Sequence, residues 1–450
     1  MKRIAPVFAL IFLFCLDEAS GQEKEWTIED CINYAITNNL DLKRQILQTE
    51  TAEVNFLKSK MDILPSLNLG SDANLGFGRS IDPVTNLITF KQNISNSYAL
   101  NSNFQLFTGF NALNTIAANK FMLKAGLEAE KVARNTLVVE LLGQYYQVLY
   151  ARGLEEVARQ QLELSERQQF RITRMVETGK EAMSRQMEME SQVSADRLDY
   201  TIARNTANQA ITILRQMLQL DPGTAFRIAL PDPANILLTE NDFKADSVYR
   251  IAAQTLPRLR TIEYELKAAE KQISAARGLV APCLTVGGSV YTGYYKVLSD
   301  DSGEQAAFTS QLKNNNSQAI YVSLDIPLFN NYNYGRNIKT AKIRKTDAAL
   351  RLELEKNALY TEIENACLNY SRGMDEFVAA QSNFEFNKKS FNVVEKKFES
   401  GLVDVTDYSA AKTTLSRAET EALRTKLQLR IREIIIQFYM TGNYESISFI

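Results

Sequence analysis

Phe398-Glu-Ser-Gly-Leu-Val-Asp-Val-Thr-Asp-Tyr-Ser-Ala-Ala-Lys-Thr-Thr-Leu415 is the stretch from which the rest of the chain can be read. It lies between two long, proline-free, helix-patterned segments, so Gly401 marks a reversal of the chain. The reversal carries two acids, Asp404 and Asp407. Three residues apart, they share one face of the first turn of the helix that follows, where the helix dipole favours negative charge. An isolated Asp-x-x-Asp is ordinarily no more than a helix cap. The surrounding chain is what makes this one a candidate for more.

On both sides the pattern is helical on an unusual scale. Proline is absent from Val84 to Asp221 and from Leu328 to the C-terminus, and apolar residues recur there at helical spacing. Phe377, Ala380, Phe384, Phe391, Val394 and Phe398 form a heptad seam with one position skipped, the pattern that packs helices side by side. Asn111 to Thr178 and Tyr332 to Ser400 are each expected to form a rod of roughly 100 Å at about 1.5 Å per residue. Shorter helices, Asp41 to Leu64 with Lys180 to Gln219 and Arg258 to Ala281 with Val403 to Met440, would stack end to end to the same reach.

Four stretches alternate instead. In Leu67 to Gly78 the odd positions are mostly apolar and the even ones are Asn, Gly or Asp; Ile94 to Leu106, Leu284 to Tyr295 and Gln318 to Leu328 repeat the theme. Each has about the length of a tilted membrane-spanning strand. The same period suits a soluble half-buried sheet, but Gly and Asn on the polar face fit a water-filled lumen. Ile81 to Asn93 and Lys296 to Asn316 would then be outer loops.

The two halves repeat. Placing Pro65 on Pro282 aligns Leu67 with Leu284 and Gly70 with Gly287, and five residues more of shift align Leu106-Phe107 with Leu328-Phe329 and Gly179 with Gly401. Each half reads helix, strand, loop, strand, long helix, tight turn, helix, which implies duplicated architecture. The expected divisions are a signal peptide over 1–21, a first repeat over 22–220, a linker over 221–242 holding Pro222, Gly223, Pro231 and Pro233, and a second repeat over 243–450.

Composition narrows the function. The 450 residues include only 9 Pro and 19 Gly, which suits a few very long elements. A net charge of −2 offers no basic excess for nucleic acid, which is not an expected partner. Histidine is absent, removing the usual proton shuttle and zinc ligand together; the expectation is a non-enzyme with no catalytic, cofactor or metal residues. Cys15, Cys31, Cys283 and Cys367 lack metal spacing and are expected to be free thiols. Met175, Met183, Met187 and Met189 gather near the first turn; thioethers suit copper(I), although flexible packing is their commoner use. Lys2 and Arg3, an apolar run from Ile4 to Leu16, and Ala19-Ser20-Gly21 form an export signal. Bulky Phe14 before Cys15 argues against lipid attachment. No other run is long and apolar enough for a membrane helix, so any spanning falls to strands.

Two signatures carry a family resemblance. Trp26-Thr-Ile-Glu-Asp-Cys-Ile-Asn-Tyr-Ala-Ile-Thr-Asn-Asn39, with Thr27 and Asp30 placed as a capping pair, is similar to the opening helix of the TolC family of outer-membrane efflux proteins. Gly401-Leu402 followed by Val403-Asp404-Val405-Thr406-Asp407 resembles that family's helical turn. Two departures stand out: Leu40 replaces the usual proline, whose second-half counterpart is Pro257, and the first turn reads Gly179-Lys180. The resemblance implies a mainly α fold with membrane β structure: a homotrimer whose four strands per protomer close a 12-stranded barrel, continued by a periplasmic α-helical barrel. It implies a passive exit duct of a tripartite efflux or type I secretion system. The implied partners are a periplasmic adaptor, an inner-membrane efflux pump or ABC exporter, and outer-membrane lipid. Asp404 and Asp407 would line the periplasmic gate, with Tyr408 or Lys412 offsetting their repulsion, and Gly179, Gly401 and Leu402 would form the adaptor-docking turns. An exported coiled-coil scaffold is the competing reading; it accounts for the helices but not for the glycine-rich strand pairs.

Overall fold

The computed structural model describes residues 25–81, 86–221, 223–224, 226–229, 242–298, 306–444, 447 and 449. The expected signal peptide and most of the expected linker lie outside these residues. In chain order the elements are β1 (Glu25–Trp26), α1 (Ile28–Asn38), α2 (Leu40–Met61), β2 (Ser66–Gly76), β3 (Ser80–Ile81), β4 (Ile88–Thr89), β5 (Asn93–Thr108), α3 (Asn111–Glu177) and α4 (Met183–Leu218). They continue with β6 (Arg227–Ile228), α5 (Ala245–Thr255), α6 (Pro257–Gly278), β7 (Cys283–Val297), α7 (Phe308–Asn314), β8 (Ser317–Asp325), α8 (Asn333–Glu399) and α9 (Val405–Thr441).

The two long rods, α3 and α8, are 67 residues each, and they start and stop at positions 222 apart. The same offset separates the starts of α4 and α9. An offset of 217 relates α1 to α5 and α2 to α6 at both ends, so the duplication holds element by element. Both rods begin after a residue with left-handed backbone, Phe110 at φ 63° and Tyr332 at φ 66°. Thr27 caps α1 in a reciprocal box with Asp30, and Pro257 opens α6, where its missing N–H costs nothing.

At one end of the rods lies a four-stranded antiparallel sheet in the order β2-β5-β7-β8. All four expected strands are present. The alternation in β5 breaks at Leu106, where the register to β7 slips between Gln105 and Phe107; a bulge there turns the chain towards the rod. Among the described residues β2 and β8 have one partner each, and both are exposed along nearly all their length. The described parts of the two expected outer loops hold more order than their sequences suggest. β3 pairs with β4, and Gln311 of α7 binds both N–H and C=O of Tyr295, each at 3.0 Å, covering the edge of β7 beyond the end of β8.

The helices lie side by side. α3 packs against α2 and α4 on one flank and α6 and α9 on the other, while α8 packs against α6 and α9. Two apolar cores sit midway along the rods, one around α1 with Leu141, Tyr145 and Leu214, the other around α5 and α6 with Leu359, Ile363 and Ile436. A third core occupies the end away from the sheet, where Ile172, Met189, Phe391, Phe398, Val405 and Tyr408 meet. The described cysteines, Cys31, Cys283 and Cys367, are free. Among the described residues no helix is long and apolar enough to cross a membrane.

Candidate functional site

Both turns between paired rods close with the same backbone device. In the first, Gly179 at φ 70° donates to the carbonyl of Val176 at 2.9 Å and Lys180 to that of Met175 at 2.8 Å. In the second, Gly401 at φ 76° donates to Phe398 at 3.1 Å and Leu402 to Lys397 at 2.9 Å. This is the paired 5→2 and 6→1 closure that a left-handed glycine permits. A side chain at either glycine would meet open space within the protomer, so the backbone angle, not a close approach inside the subunit, requires glycine here. Leu402 is 74% exposed at the tip.

Beyond the turns the side chains diverge. Asp404 caps α9, its Oδ1 accepting from the Asp407 N–H at 2.8 Å. Asp407 follows in the first helical turn, and both carboxylates face solvent in the protomer. At the matching positions of the first repeat stand Ala182, which gives α4 no side-chain cap, and Arg185. Arg185 turns towards the other hairpin: it donates to the carbonyl of Val403 at 2.8 Å, pairs with Glu181 at 2.7 Å and lies 5.2 Å from the Phe398 ring centroid. Arg171 reaches the carbonyl of Glu399 at 2.5 Å. Two arginines of the first hairpin thus hold the backbone of the second turn on both sides.

The expected help from Tyr408 and Lys412 is corrected. Tyr408 is buried, stacked on Phe398 with ring centroids 4.4 Å apart, and burial raises the pKa of its phenol. Lys412 is only 2% exposed and points away from the aspartates, pairing with Asp196 of α4 and with Ser165 of α3. Ser165 also donates to Asp196, whose second oxygen accepts from Gln192 at 3.0 Å. Burial pulls the Lys412 pKa down while Asp196 opposes it. The physical reason is the helix period: Val405, Tyr408, Lys412 and Leu415 share the inward stripe of α9, and Met189, Val193 and Asp196 share that of α4. A charge at a core position on each of two helices was the available signal for this contact. Of the four clustered methionines, Met189 is fully buried, whereas Met183 and Met187 are exposed.

A duplicated chain, with an amphipathic four-stranded sheet at one end of long paired rods and tight turns at the other, defines the subunit of a channel. Comparison with known proteins gives the family: residues 31–219 and 248–441 match the model described as outer membrane efflux protein. The chain belongs to that family, resides in the outer membrane and extends its helices into the periplasm. It is similar to the probable outer membrane lipoprotein SilC of Salmonella typhimurium, with 22% identity over 92% of this chain and 85% of the relative. In structure it is similar to CusC, with a TM-score of 0.76 and 18% identity over 92% of each chain. The Campylobacter jejuni CmeC outer membrane channel gives a TM-score of 0.77 and 15% identity over 94% of this chain and 87% of that one.

Proposed function

We propose that three copies of this chain close into one channel, the passive exit duct of a tripartite efflux or type I secretion system. A four-stranded sheet whose edge strands, β2 and β8, have no second partner among the described residues carries this reading. A membrane cannot satisfy open edges, and four strands are too few for a barrel, about eight being the smallest. Pairing β8 of each copy with β2 of the next gives twelve strands. Edge helices support the same closure: α2 exposes a heptad seam of Leu40, Leu47, Val54 and Met61, and α8 exposes Ile343, Leu350 and Leu354, complementary rows for a neighbouring copy.

The far turns are the part of the subunit that reaches towards the inner membrane. Gly179, Gly401 and Leu402 form the surface that an adaptor engages, and an inner-membrane pump or ABC exporter supplies the energy. No chemical step is assigned to the chain itself. Three second turns brought together make rings of Asp404 and Asp407, and a narrow ring of carboxylates holds cations and repels anions. Sedimentation in detergent together with planar-bilayer conductance tests the assembly. A conducting trimer recovered from outer membranes is expected; a monomer, or recovery in the soluble periplasm, contradicts it.

A further inference from the structure

The two outer loops converge on one residue of the sheet's polar face. Tyr295 of β7 stands opposite Ser95 of β5, on the side that also carries Asn93, Ser97, Asn101 and Asn103. From the strand edge, Gln311 of α7 binds both N–H and C=O of Tyr295. From over the face itself, the Ser80 hydroxyl meets the Tyr295 hydroxyl at 3.3 Å and accepts from the Asn93 amide at 2.9 Å. Gly76 makes room for that amide, since a Cβ there would stand 2.8 Å from it. Asn93, Tyr295 and Val297, all on the polar face, are buried, whereas Lys296, which points to the apolar face between the last two, is exposed. The β3–β4 pair therefore lies across the polar face and not over the apolar one.

That placement fixes where the rest of the pair points. Successive residues of a strand face opposite ways, so Ile81 turns away from the sheet because Ser80 turns towards it. Ile88 is the ladder partner of Ile81 and shares its side. Both are exposed, at 63% and 52%. Two large apolar side chains thus project into the space that a polar wall encloses. Dimensions decide what they meet there. Twelve strands about 4.8 Å apart and tilted by about 40° enclose a barrel of radius roughly 12 Å. A layer packed on its inner face sits about 10 Å in, which leaves roughly 2 Å between the β3–β4 backbone and the three-fold axis. An isoleucine side chain needs more than that.

We propose that Ile81 and Ile88 of the three copies meet around this axis and form an apolar constriction at the outer mouth, one that apolar solutes cross more readily than ions. This rests on the twelve-stranded reading of the channel. A second copy of the same pair is the occupant because a closed symmetric ring brings identical residues together at its axis. Apolar constrictions bar ions by dewetting. The second repeat supplies support instead of a matching pair: its loop holds Tyr295 from the edge through Gln311.

The test uses the full-length protein. Ile81→Cys and Ile88→Cys are made singly and exposed to a short thiol crosslinker in intact outer membranes, with the unmodified protein as background and Ile320→Cys, on the apolar face, as control. Only a residue near the axis can be joined to its own counterpart in another copy, so covalent dimers are expected from the first two variants and not from the third. In planar bilayers, Ile81→Ser combined with Ile88→Ser should raise single-channel conductance by at least about twofold, as expected when an apolar constriction becomes wettable. The cysteine variants keep the size and much of the apolar character of the site, so crosslinking remains decisive if the serine variant fails to assemble. Conducting trimers without the dimers, or with conductance indifferent to the serines, would overturn the constriction and leave the channel standing. Failure of the unmodified protein to form trimers would remove channel and constriction together.

Discussion

The two helical turns share a backbone and oppose each other in chemistry. Gly179 and Gly401 close their rods with the same pair of hydrogen bonds, yet the next helix opens with Ala182 and Arg185 in one repeat and Asp404 and Asp407 in the other. The first hairpin then holds the second: Arg171 and Arg185 bind its carbonyls and Asp196 takes Lys412. None of these contacts has a repeat-related counterpart, since Glu190 stands opposite Lys412 and Ala418 opposite Asp196. Duplication fixes where a turn goes. The unduplicated side chains decide which turn is support and which carries the acids.

The largest effect on this division should come from the buried pair. Lys412→Ala leaves Asp196 charged and buried and should cost about 3–5 kcal/mol, read as lost hydrogen-exchange protection at the third core. Replacing both partners, Lys412→Met with Asp196→Leu, should recover most of it; a double variant as unstable as the single would show that the pair does not link the hairpins. Arg185→Ala should cost about 2 kcal/mol, the worth of a charged hydrogen bond, and loosen Val403 to Tyr408 selectively. Uniform loosening of both turns would erase the distinction between support and supported. The smallest of the three concerns docking: Leu402→Asp should weaken adaptor crosslinking about tenfold, as expected for losing one buried leucine contact, while trimers persist. Lys180→Asp should do less; equal losses would make the two turns equivalent contacts.

The rods were legible to within a residue or two because a period of 3.6 without proline over so long a run has few other readings. The strands were legible because one face had to be greasy. Three features were hidden for identifiable reasons. α7 replaces a missing edge strand through the amide of Gln311, a substitution that leaves no periodic trace. The bulge at Leu106 is a local register slip inside an otherwise regular pattern. Arg171 and Arg185 look like ordinary surface arginines in sequence, since their acceptors are main-chain carbonyls more than 200 residues away. Asp404 and Asp407 open α9, as the helical pattern predicts, and capping accounts for Asp404; a ring of these acids belongs to the proposed assembly of copies, which no helix period encodes.

That last point is open to one direct measurement, single-channel recording of the trimer in planar bilayers with multivalent cations added on the periplasmic side. Wild type should be cation-selective and blocked. Asp404→Asn combined with Asp407→Asn should raise the blocking concentration by at least about tenfold, as expected when a ring of fixed carboxylates is removed, with trimer and conductance preserved. If the double variant keeps the block and selectivity of wild type, these aspartates are helix caps and the selectivity lies elsewhere in the channel.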